Sequence, residues 1–199
     1  FIDVKKFVSD RCRPTLKLSL FQRIIRKLLY PYTDGIIAQT QIAEEIMYRR
    51  VKHPNISIIG NPIRQISGKS RKRENIILNV GRFISEKRQR LLLEYYCELG
   101  RYDWHLVFVG DGTLLEATKK YAEEIGLGGQ VTFTGNVKNV EDFYLTSKIF
   151  AYTSVSEGFP NVLGEALSAG LAVVSSHFVA GSDDLIKDGF NGYLIPEGD

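Results

Sequence analysis

Short apolar runs alternate with longer amphipathic stretches from residue 76 onward, and this alternation is the strongest constraint on the fold. Repeated βα units give such a pattern when they form a parallel sheet with helices on its faces. The sequence therefore predicts an α/β fold, a Rossmann-like parallel sheet with flanking helices. We expect strands at 76–80, 104–109, 130–134, 148–153, 172–175 and 193–195, and helices at 88–99, 113–125, 140–145 and 161–169. Gly126 and Gly170 follow two of these helices and are expected to close them in the left-handed conformation.

The same pattern is weaker upstream, where we predict helices at 14–30 and 41–50 and strands at 35–39 and 56–59. Residues 68–74 are polar and lack periodicity, which is typical of an interdomain linker. The sequence starts without methionine and stops just after an apparent strand, so we expect a fragment. On this interpretation, residues 1–62 are the end of an N-terminal domain, 63–75 are a linker, and 76–199 are a C-terminal domain truncated at its end.

The predicted helix at 14–30 is amphipathic and basic. Its apolar stripe comprises Leu20, Phe21, Ile24, Ile25, Leu28 and Leu29, and its cations are Lys17, Arg23, Arg26 and Lys27. Most amphipathic helices pack on their own domain, so we favour a helix docked on its own sheet with a solvated basic back. The alternative is a helix that lies on an anionic membrane.

Composition excludes several classes of protein. The 199 residues carry a formal net charge of +3 without the dense basic stripe of a nucleic-acid binder, so no nucleic-acid partner is expected. Cys12 and Cys97 are far apart and outside any CxxC spacing, so neither a disulfide framework nor a zinc cluster is indicated. The sequence has no run of eighteen apolar residues that could form a spanning helix. A reducing cytoplasm fits these features best.

Two glutamates in the segment 154–170 are candidate ligand-binding residues. Glu157 falls in a loop at the carboxyl end of a predicted strand, where open α/β sheets place ligand contacts. Glu165 falls on the inward face of the next helix, where an ionised carboxylate needs a compensating partner such as the hydroxyls of a ribose. The N–H groups at the start of that helix suit a phosphate. The simpler alternative is that Glu157 is a plain loop residue and that Glu165 is a charge that the helix tolerates.

A second segment, 79–87, follows the first strand of the C-terminal part. Gly81 permits a tight turn, and Arg82 and Lys87 project from the sheet edge five residues apart. A diphosphate requires such a clamp, because Arg makes forked hydrogen bonds and Lys supplies a compact charge. The alternative is a pair of unpartnered surface charges.

Two further strand ends carry glycine. Gly110, in the segment 109–113, permits close backbone approach of a ligand. Gly135, with Val137 after it, is positioned to offer backbone groups to a base. Each of these short motifs is nonspecific when taken alone.

The order and spacing of these segments resemble the C-terminal domain of the retaining glycosyltransferases of family 4, also called glycosyl transferases group 1. The matching motifs are Gly81-Arg82-Phe83 with Lys87, Val109-Gly110-Asp111-Gly112, Val131-Thr132-Phe133-Thr134-Gly135, Ser156-Glu157-Gly158-Phe159 with Glu165-Ala166, Asn191-Gly192-Tyr193-Leu194, and Gly198-Asp199. The resemblance is strong over residues 75–199 and is only a general pattern over residues 1–62.

The resemblance implies the C-terminal, nucleotide-sugar-binding half of a two-domain GT-B enzyme. Arg82 and Lys87 would then bind the diphosphate, Glu157 the donor sugar and Glu165 the ribose. The implied catalytic set is Arg82, Lys87 and Glu157, and the implied donor-binding set is Gly81, Gly110, Gly135, Val137, Gly158, Phe159, Asn161, Val162 and Glu165. The family transfers sugar with retention and, in this architecture, requires no cofactor and no metal.

We therefore expect transfer of a hexosyl or N-acetylhexosaminyl group from a nucleotide sugar, expected to be a UDP-sugar, to a glycan or lipid-linked acceptor in cell-surface polysaccharide synthesis. The enzyme would be cytoplasmic, with peripheral contact at the inner face of the cell membrane. The acceptor cleft of a GT-B enzyme needs both domains, so the fragment alone is expected to be inactive. The alternative is a non-catalytic module that binds nucleotide sugars. A dinucleotide-dependent oxidoreductase is disfavoured, because no GxGxxG follows the first strand of the C-terminal part.

Overall fold

The structure is a computed structural model that describes residues 4–68, 72–101 and 103–196. The two ends on which the fragment interpretation rests, 1–3 and 197–199, lie outside these ranges, as does the Gly198-Asp199 motif. The described residues form two parallel sheets, and the chain passes from the first sheet to the second between Ile58 and Ile76.

The first sheet has three strands in the order β1-β2-β3. The strands are β1 (Phe7–Ser9), β2 (Gly35–Ala38) and β3 (Ile56–Ile58), and the helices are α1 (Leu20–Leu29), a 3-10 helix (Tyr30–Tyr32) and α2 (Gln41–Val51). Helix α1 and the 3-10 helix connect β1 to β2, and α2 connects β2 to β3.

The second sheet has six strands, all paired in parallel, in the order β6-β5-β4-β7-β8-β9. Its strands are β4 (Ile76–Val80), β5 (His105–Val109), β6 (Val131–Phe133), β7 (Ile149–Tyr152), β8 (Ala172–Ser176) and β9 (Tyr193–Ile195). The helices between them are a 3-10 helix (Ser85–Lys87), α3 (Gln89–Leu99), α4 (Leu115–Glu124), α5 (Val140–Thr146), α6 (Asn161–Ser168) and α7 (Ser182–Leu185).

The strand order reverses at the centre of the second sheet. The chain enters at β4, builds outward through β5 and β6, and then returns to the other side of β4 to add β7, β8 and β9. This is the doubly wound Rossmann order, and it leaves a crevice between the loops that follow the two central strands. The prediction of a Rossmann-like parallel sheet is confirmed.

The second sheet has a hydrophobic core on each of its faces. In β5, Leu106 and Phe108 pack in one buried cluster, whereas Val107 and Val109 pack in the other. Alternate residues of a strand point to opposite faces, and a parallel sheet covered by helices on both sides buries both sets. The continuous apolar runs of the sequence follow from this arrangement.

The predicted elements downstream of residue 34 are all present, and their observed ends differ from the predicted ones by at most two residues. Gly126 and Gly170 have positive φ angles of 79° and 74°, which confirms their expected left-handed conformation. The sequence analysis missed β1, whose three residues are too few to give a pattern. It also missed α7, which has only four residues.

Helix α1 differs from its prediction at its start and in its surroundings. It begins at Leu20, because Ser19 and Gln22 form a capping box in which each side chain accepts a hydrogen bond from the other's backbone N–H. No residue of α1 is buried, and Leu20 and Phe21 are each 71% exposed. The expectation of an apolar stripe docked on the helix's own sheet is therefore wrong for the part of the chain that the structure describes.

The expected linker is more ordered than its polar composition indicates. Its residues 69–71 lie outside the described ranges, but the residues on either side pack against the second sheet and its helices. Ile66 belongs to a buried core cluster, and Arg73 donates hydrogen bonds to the carbonyls of Ser147 and Ala169, which end α5 and α6. These parts of the segment form a fixed connection instead of a solvated one.

Gly110 and Gly112, after β5, lie against the backbone of residues 81–83. A Cβ atom on Gly110 would lie 2.1 Å from the Gly81 carbonyl oxygen, and one on Gly112 would lie 2.4 Å from the Phe83 carbonyl oxygen. Both glycines have positive φ angles, 138° and 156°. The sequence analysis attributed this freedom to the approach of a ligand. In the structure, the missing side chains of Gly110 and Gly112 leave room for the backbone of residues 81–83.

We expect Gly110→Ala to lower the free energy of unfolding by at least about 2 kcal/mol, because backbone strain and overpacking each cost about 1–3 kcal/mol. Gly129→Ala is the matched control, since nothing lies within 4 Å of a Cβ atom at that position. Its effect should stay within about 0.5 kcal/mol. Denaturant-induced unfolding measures both variants. Equal stability of the two would contradict the close approach of the two loops.

Candidate functional site

The candidate site lies at the crevice where the strand order reverses. The loop after β4 carries Gly81, Arg82 and Lys87, and the loop after β7 leads through Glu157 into α6. Because β4 and β7 are paired in parallel, their carboxyl ends meet at the same edge of the sheet. The structure therefore brings together the two loops that the sequence analysis selected independently.

A largely buried ion pair between Lys87 and Glu157 spans this crevice. Their side chains are only 16% and 14% exposed. The same oxygen of Glu157, Oε1, also accepts hydrogen bonds from the Tyr152 hydroxyl at 2.7 Å and the Ser154 hydroxyl at 2.6 Å. The Glu157 carboxylate is thus held by three donors, which is the compensation that a buried charge needs.

Tyr152 is buried in this cluster, as is Ser154. Its hydroxyl lies 2.5 Å from Lys87 Nζ, and Lys87 also stands over its ring, 5.1 Å from the centroid. Burial raises the pKa of the Tyr152 phenol well above its ordinary value, and the adjacent Glu157 charge raises it further. The phenol therefore remains protonated and available as a donor to Glu157.

Backbone contacts fix the two loops to each other. The Thr153 hydroxyl donates to the Lys87 carbonyl at 2.8 Å, and the Val155 N–H donates to the Glu86 carbonyl at 3.0 Å. Lys87 and Glu157 are consequently positioned by hydrogen bonds to main-chain carbonyls as well as by their own charges.

Glu165 has a partner that the sequence did not indicate. It lies half-buried on α6, and its Oε2 accepts a hydrogen bond of 3.0 Å from the fully buried Tyr144 hydroxyl. Burial raises the pKa of Tyr144, and the Glu165 charge adds to the increase, so this phenol is also a protonated donor. Tyr144 orients Glu165 and meets part of the cost of its burial.

Arg82 contrasts with Lys87. Its side chain is exposed, and within the described ranges the structure records no partner for its guanidinium. The Arg82 carbonyl is engaged, accepting from the Gln89 side chain at 2.9 Å, so the backbone below the guanidinium is held in place. The crevice thus offers one cation that is already paired and one that is available to an anion.

The glycines selected from the sequence form one edge of the crevice. Gly81 donates its N–H to the Val109 carbonyl at 3.0 Å, and Gly110 donates to the Gly135 carbonyl at 3.0 Å. Gly81, Gly110 and Gly135 therefore lie side by side at the carboxyl ends of β4, β5 and β6. Val137 is half-buried and packs against the core. A contact of these residues with a base or ligand stays a prediction.

The loop 158–162 faces the first sheet. A Cβ atom on Gly158 would lie 2.8 Å from the Arg11 carbonyl oxygen, and one on Gly60 would lie 3.0 Å from the Phe159 ring. Asn61 donates to the Asn161 side chain at 3.1 Å. The crevice is therefore bordered by residues of both sheets.

Two observations bear on the phosphate contacts predicted for this loop. Pro160 precedes α6, and no side chain caps the helix start. The Asn161 N–H donates to the Phe159 carbonyl at 3.1 Å, so it is engaged in this structure. The contacts of Gly158, Phe159, Asn161 and Val162 with a donor stay predictions.

The sequence analysis missed Tyr152, Ser154 and Tyr144. Each lies in or beside a predicted buried element, where a hydroxyl gives no periodic signal. For Tyr152 and Ser154 a usable signal was their position within five residues of Glu157 at a strand end. Among the described residues, no group of three or more His, Cys, Asp or Glu side chains is arranged to hold a metal ion.

Comparison with known proteins identifies the family. Residues 62–199 match the family described as glycosyl transferases group 1. This chain belongs to that family.

Curated relatives include two bacterial transferases. The chain is 30% identical over 181 residues to a GalNAc-alpha-(1->4)-GalNAc-alpha-(1->3)-diNAcBac-PP-undecaprenol alpha-1,4-N-acetyl-D-galactosaminyltransferase of Campylobacter jejuni, covering 87% of this chain and 49% of the relative. It is 32% identical over 185 residues to a lipopolysaccharide 1,6-galactosyltransferase of Salmonella typhimurium, covering 84% of this chain and 49% of the relative. The chain spans about half the length of these relatives. One of these relatives is named for an undecaprenol-linked glycan and the other for a lipopolysaccharide.

Solved structures support the same architecture. TarM of S. aureus, in a complex that contains UDP, matches 98% of this chain and 41% of its own, with a TM-score of 0.85 and 20% identity. The lipopolysaccharide outer core galactosyltransferase WaaB matches 84% of this chain and 50% of its own, with a TM-score of 0.69 and 29% identity. These likenesses establish the GT-B glycosyltransferase fold. None of the helices in the described ranges is long and apolar enough to cross a membrane.

A double-mutant cycle tests the largely buried ion pair Lys87–Glu157. We expect Lys87→Met and Glu157→Gln each to lower the free energy of unfolding. The double variant should lose less than the sum of the two single losses, with a coupling free energy of at least about 1 kcal/mol. The control is the exposed pair Lys119–Glu116, with a separation of 2.7 Å, for which the coupling should be at most about 0.5 kcal/mol. Thermal and denaturant unfolding measure both cycles. Equal coupling in the two pairs would show that the central pair is solvated.

Proposed function

We propose that this chain provides the donor site of a retaining transferase that moves a hexosyl or N-acetylhexosaminyl group from a UDP-sugar to a glycan or glycolipid acceptor. The main support is the crevice at β4 and β7, which holds two cations and two oriented carboxylates at the ligand-binding edge of a doubly wound sheet. The proposed reaction belongs to cell-surface polysaccharide synthesis.

The choice of donor draws on the relatives. The names of the two curated relatives describe transfer of N-acetylgalactosamine and galactose. Solved structures of TarM and of HepE from Anabaena, with TM-scores of 0.85 and 0.83, were determined with UDP. A hexosyl or N-acetylhexosaminyl donor carried on UDP agrees with both the names of the curated relatives and the ligand of the solved structures.

The diphosphate would bind between Arg82 and Lys87. Arg82 is exposed and has no partner in the described ranges, so its forked guanidinium can accept an anion without breaking an existing contact. Lys87 is shared with Glu157, so an incoming phosphate would add a second anion to the same ammonium. As the bond to the sugar breaks, negative charge grows on the leaving diphosphate, and these cations would stabilise it. No metal is required in this arrangement.

The two carboxylates would bind opposite ends of the donor. A carboxylate offers about four acceptor sites on its two oxygens, so Glu157 retains capacity for a sugar hydroxyl beyond the contacts at Oε1. Glu165 would accept from ribose hydroxyls while Tyr144 holds it. Front-face attack with retention is part of the proposal and follows the family resemblance.

The acceptor side of the reaction would involve the first sheet. Arg13 pairs with Glu86 at 3.2 Å, which links the loop after β1 to the loop after β4. We place the enzyme at the inner face of the cell membrane, in peripheral contact with it, because one relative's name describes an undecaprenol-linked acceptor. The chain by itself is proposed to bind donor and to have little transferase activity.

Binding of the nucleotide is the first test. We expect the chain to bind UDP in the presence of EDTA, because Arg82, Lys87 and the start of α6 supply the positive charge that a metal would otherwise provide. Calorimetry measures the affinity, and circular dichroism checks that the protein is folded. A folded chain that shows no binding of any nucleoside diphosphate at millimolar concentration would refute the donor site.

Variants of the full-length protein separate the roles of the four charged residues. Glu165→Gln should weaken UDP binding at least about tenfold, because it removes a charged acceptor from a hydrogen-bonded contact. Glu157→Gln should leave UDP affinity nearly unchanged and lower turnover of the UDP-sugar. Arg82→Ala and Lys87→Ala should each lower kcat by about a hundredfold or more, the scale of losing one transition-state donor. Glu123→Gln, an exposed change on α4, is the control and should alter neither quantity.

The outcomes discriminate between the proposal and its rivals. If Glu157→Gln and Glu165→Gln weaken UDP binding equally, the assignment of the two carboxylates to different ends of the donor is wrong. If the full-length protein binds UDP-sugars but neither transfers nor hydrolyses them with any acceptor preparation, the chain is a non-catalytic binding module. For variants that retain activity, kcat and KM distinguish a loss of uniform binding from a loss of transition-state stabilisation.

A further inference from the structure

The surface around α1 combines exposed apolar side chains with cations that have no partner. Leu20, Phe21, Ile24, Leu28 and Leu29 are all exposed, although they form one continuous stripe of the helix. Burying such a stripe is the usual reason for its presence. Within the described ranges the stripe is left uncovered, so the sequence specifies a contact that this part of the chain does not supply.

The cations on the same surface are also uncompensated. Lys17, Arg23, Lys27 and Arg50 are exposed, and within the described ranges none of them has a carboxylate partner. Arg23 and Lys27 are four residues apart on α1, a spacing at which like charges repel each other on a helix. An anionic surface against this side of the helix would remove that repulsion.

A groove of about 760 Å³ lies beside α1 and extends the basic surface to α2. Its apolar lining includes Leu20, Ile24 and Met47, and its charged lining is Lys17, Arg23, Arg26, Lys27, Arg49 and Arg50, with no acidic side chain among the lining residues. Arg26 pairs with Asp10, and Arg49 pairs with Glu45 in an exposed contact of 3.4 Å. The remaining cations in and around the groove face solvent.

We propose that the α1 surface, defined as α1 with Lys17 and the C-terminal turn of α2, lies in the interface of an anionic phospholipid bilayer. The ten residues of α1 span about 15 Å, too short to cross a bilayer, so the helix would lie in the plane of the membrane. Its apolar stripe would enter the acyl boundary, while Arg23, Lys27 and Arg50 contact lipid phosphates. Charge complementarity favours this occupant, because the groove is lined by six cations and no acidic side chain, and an anionic lipid surface attracts such a cluster.

The α1 surface is the part of the protein through which the membrane contact of the proposed function would occur. The inference rests on the proposed function only for its biological setting. Lipid binding by α1 needs neither a nucleotide nor an acceptor. UDP affinity, measured on every variant, therefore separates a failure of the α1 surface from a failure of the donor site.

Vesicle flotation of the full-length protein tests the surface. We expect binding to vesicles of phosphatidylcholine with about 30% phosphatidylglycerol, at least about tenfold weaker binding to phosphatidylcholine alone, and weakening by salt. The double variant Arg23→Glu/Lys27→Glu should lose at least about tenfold in affinity for the anionic vesicles. Its control, Lys120→Glu/Lys187→Glu, has the same change in net charge and should stay within about twofold.

A second pair of variants tests the apolar stripe at constant charge. Phe21→Ser/Leu28→Ser changes side chains that are 71% and 60% exposed, and its control, Phe190→Ser/Leu99→Ser, changes side chains that are 80% and 58% exposed. We expect the first to lose at least about tenfold in vesicle affinity and the second to bind as the parent does. UDP affinity should be unchanged in all four variants.

Two results would overturn the proposal. The first is a full-length protein that does not bind anionic vesicles, or binds them equally well after both α1 changes. The second is a Phe21→Ser/Leu28→Ser variant that loses thermal stability relative to its control while keeping vesicle binding, because another part of the protein then covers the stripe.

Discussion

The parallel pairing of β4 with β7 is the constraint on which the rest of the site depends. The chain starts the second sheet at its centre, adds two strands on one side, and then returns to the other side of β4. This return places two loops that are about seventy residues apart in sequence at one edge of the sheet. Without it, Lys87 and Glu157 would have no common crevice.

Burial then decides the chemistry of that crevice. An ion pair that is removed from water is costly unless hydrogen bonds complete its coordination, and Tyr152 and Ser154 provide them for Glu157. Tyr144 does the same for Glu165. Both phenols have raised pKa values, so they remain donors, and the two carboxylates are oriented before any ligand arrives. Such preorganisation lowers the reorganisation needed when a donor binds and reacts.

The helices of the two sheets differ in whether their apolar residues are buried. Helices of the second sheet bury their apolar residues on both of its faces, whereas α1 of the first sheet leaves its stripe exposed beside unpartnered cations. The proposed donor crevice and the proposed membrane surface therefore lie on different elements. The donor loops follow β4 and β7, so a membrane contact at α1 would leave them free.

The sequence by itself determined the order of the strands and helices other than β1, α7 and the two 3-10 helices, the parallel second sheet and the four charged candidates, because periodicity, turn glycines and motif spacing are local properties. It also contained the capping box of Ser19 and Gln22 that starts α1. Only the tertiary structure decided that Tyr152, Ser154 and Tyr144 hold the carboxylates, that Gly110 admits the neighbouring loop, and that the stripe of α1 is uncovered. These properties depend on contacts between residues far apart in the chain or on what lies against a surface, and no local pattern encodes them.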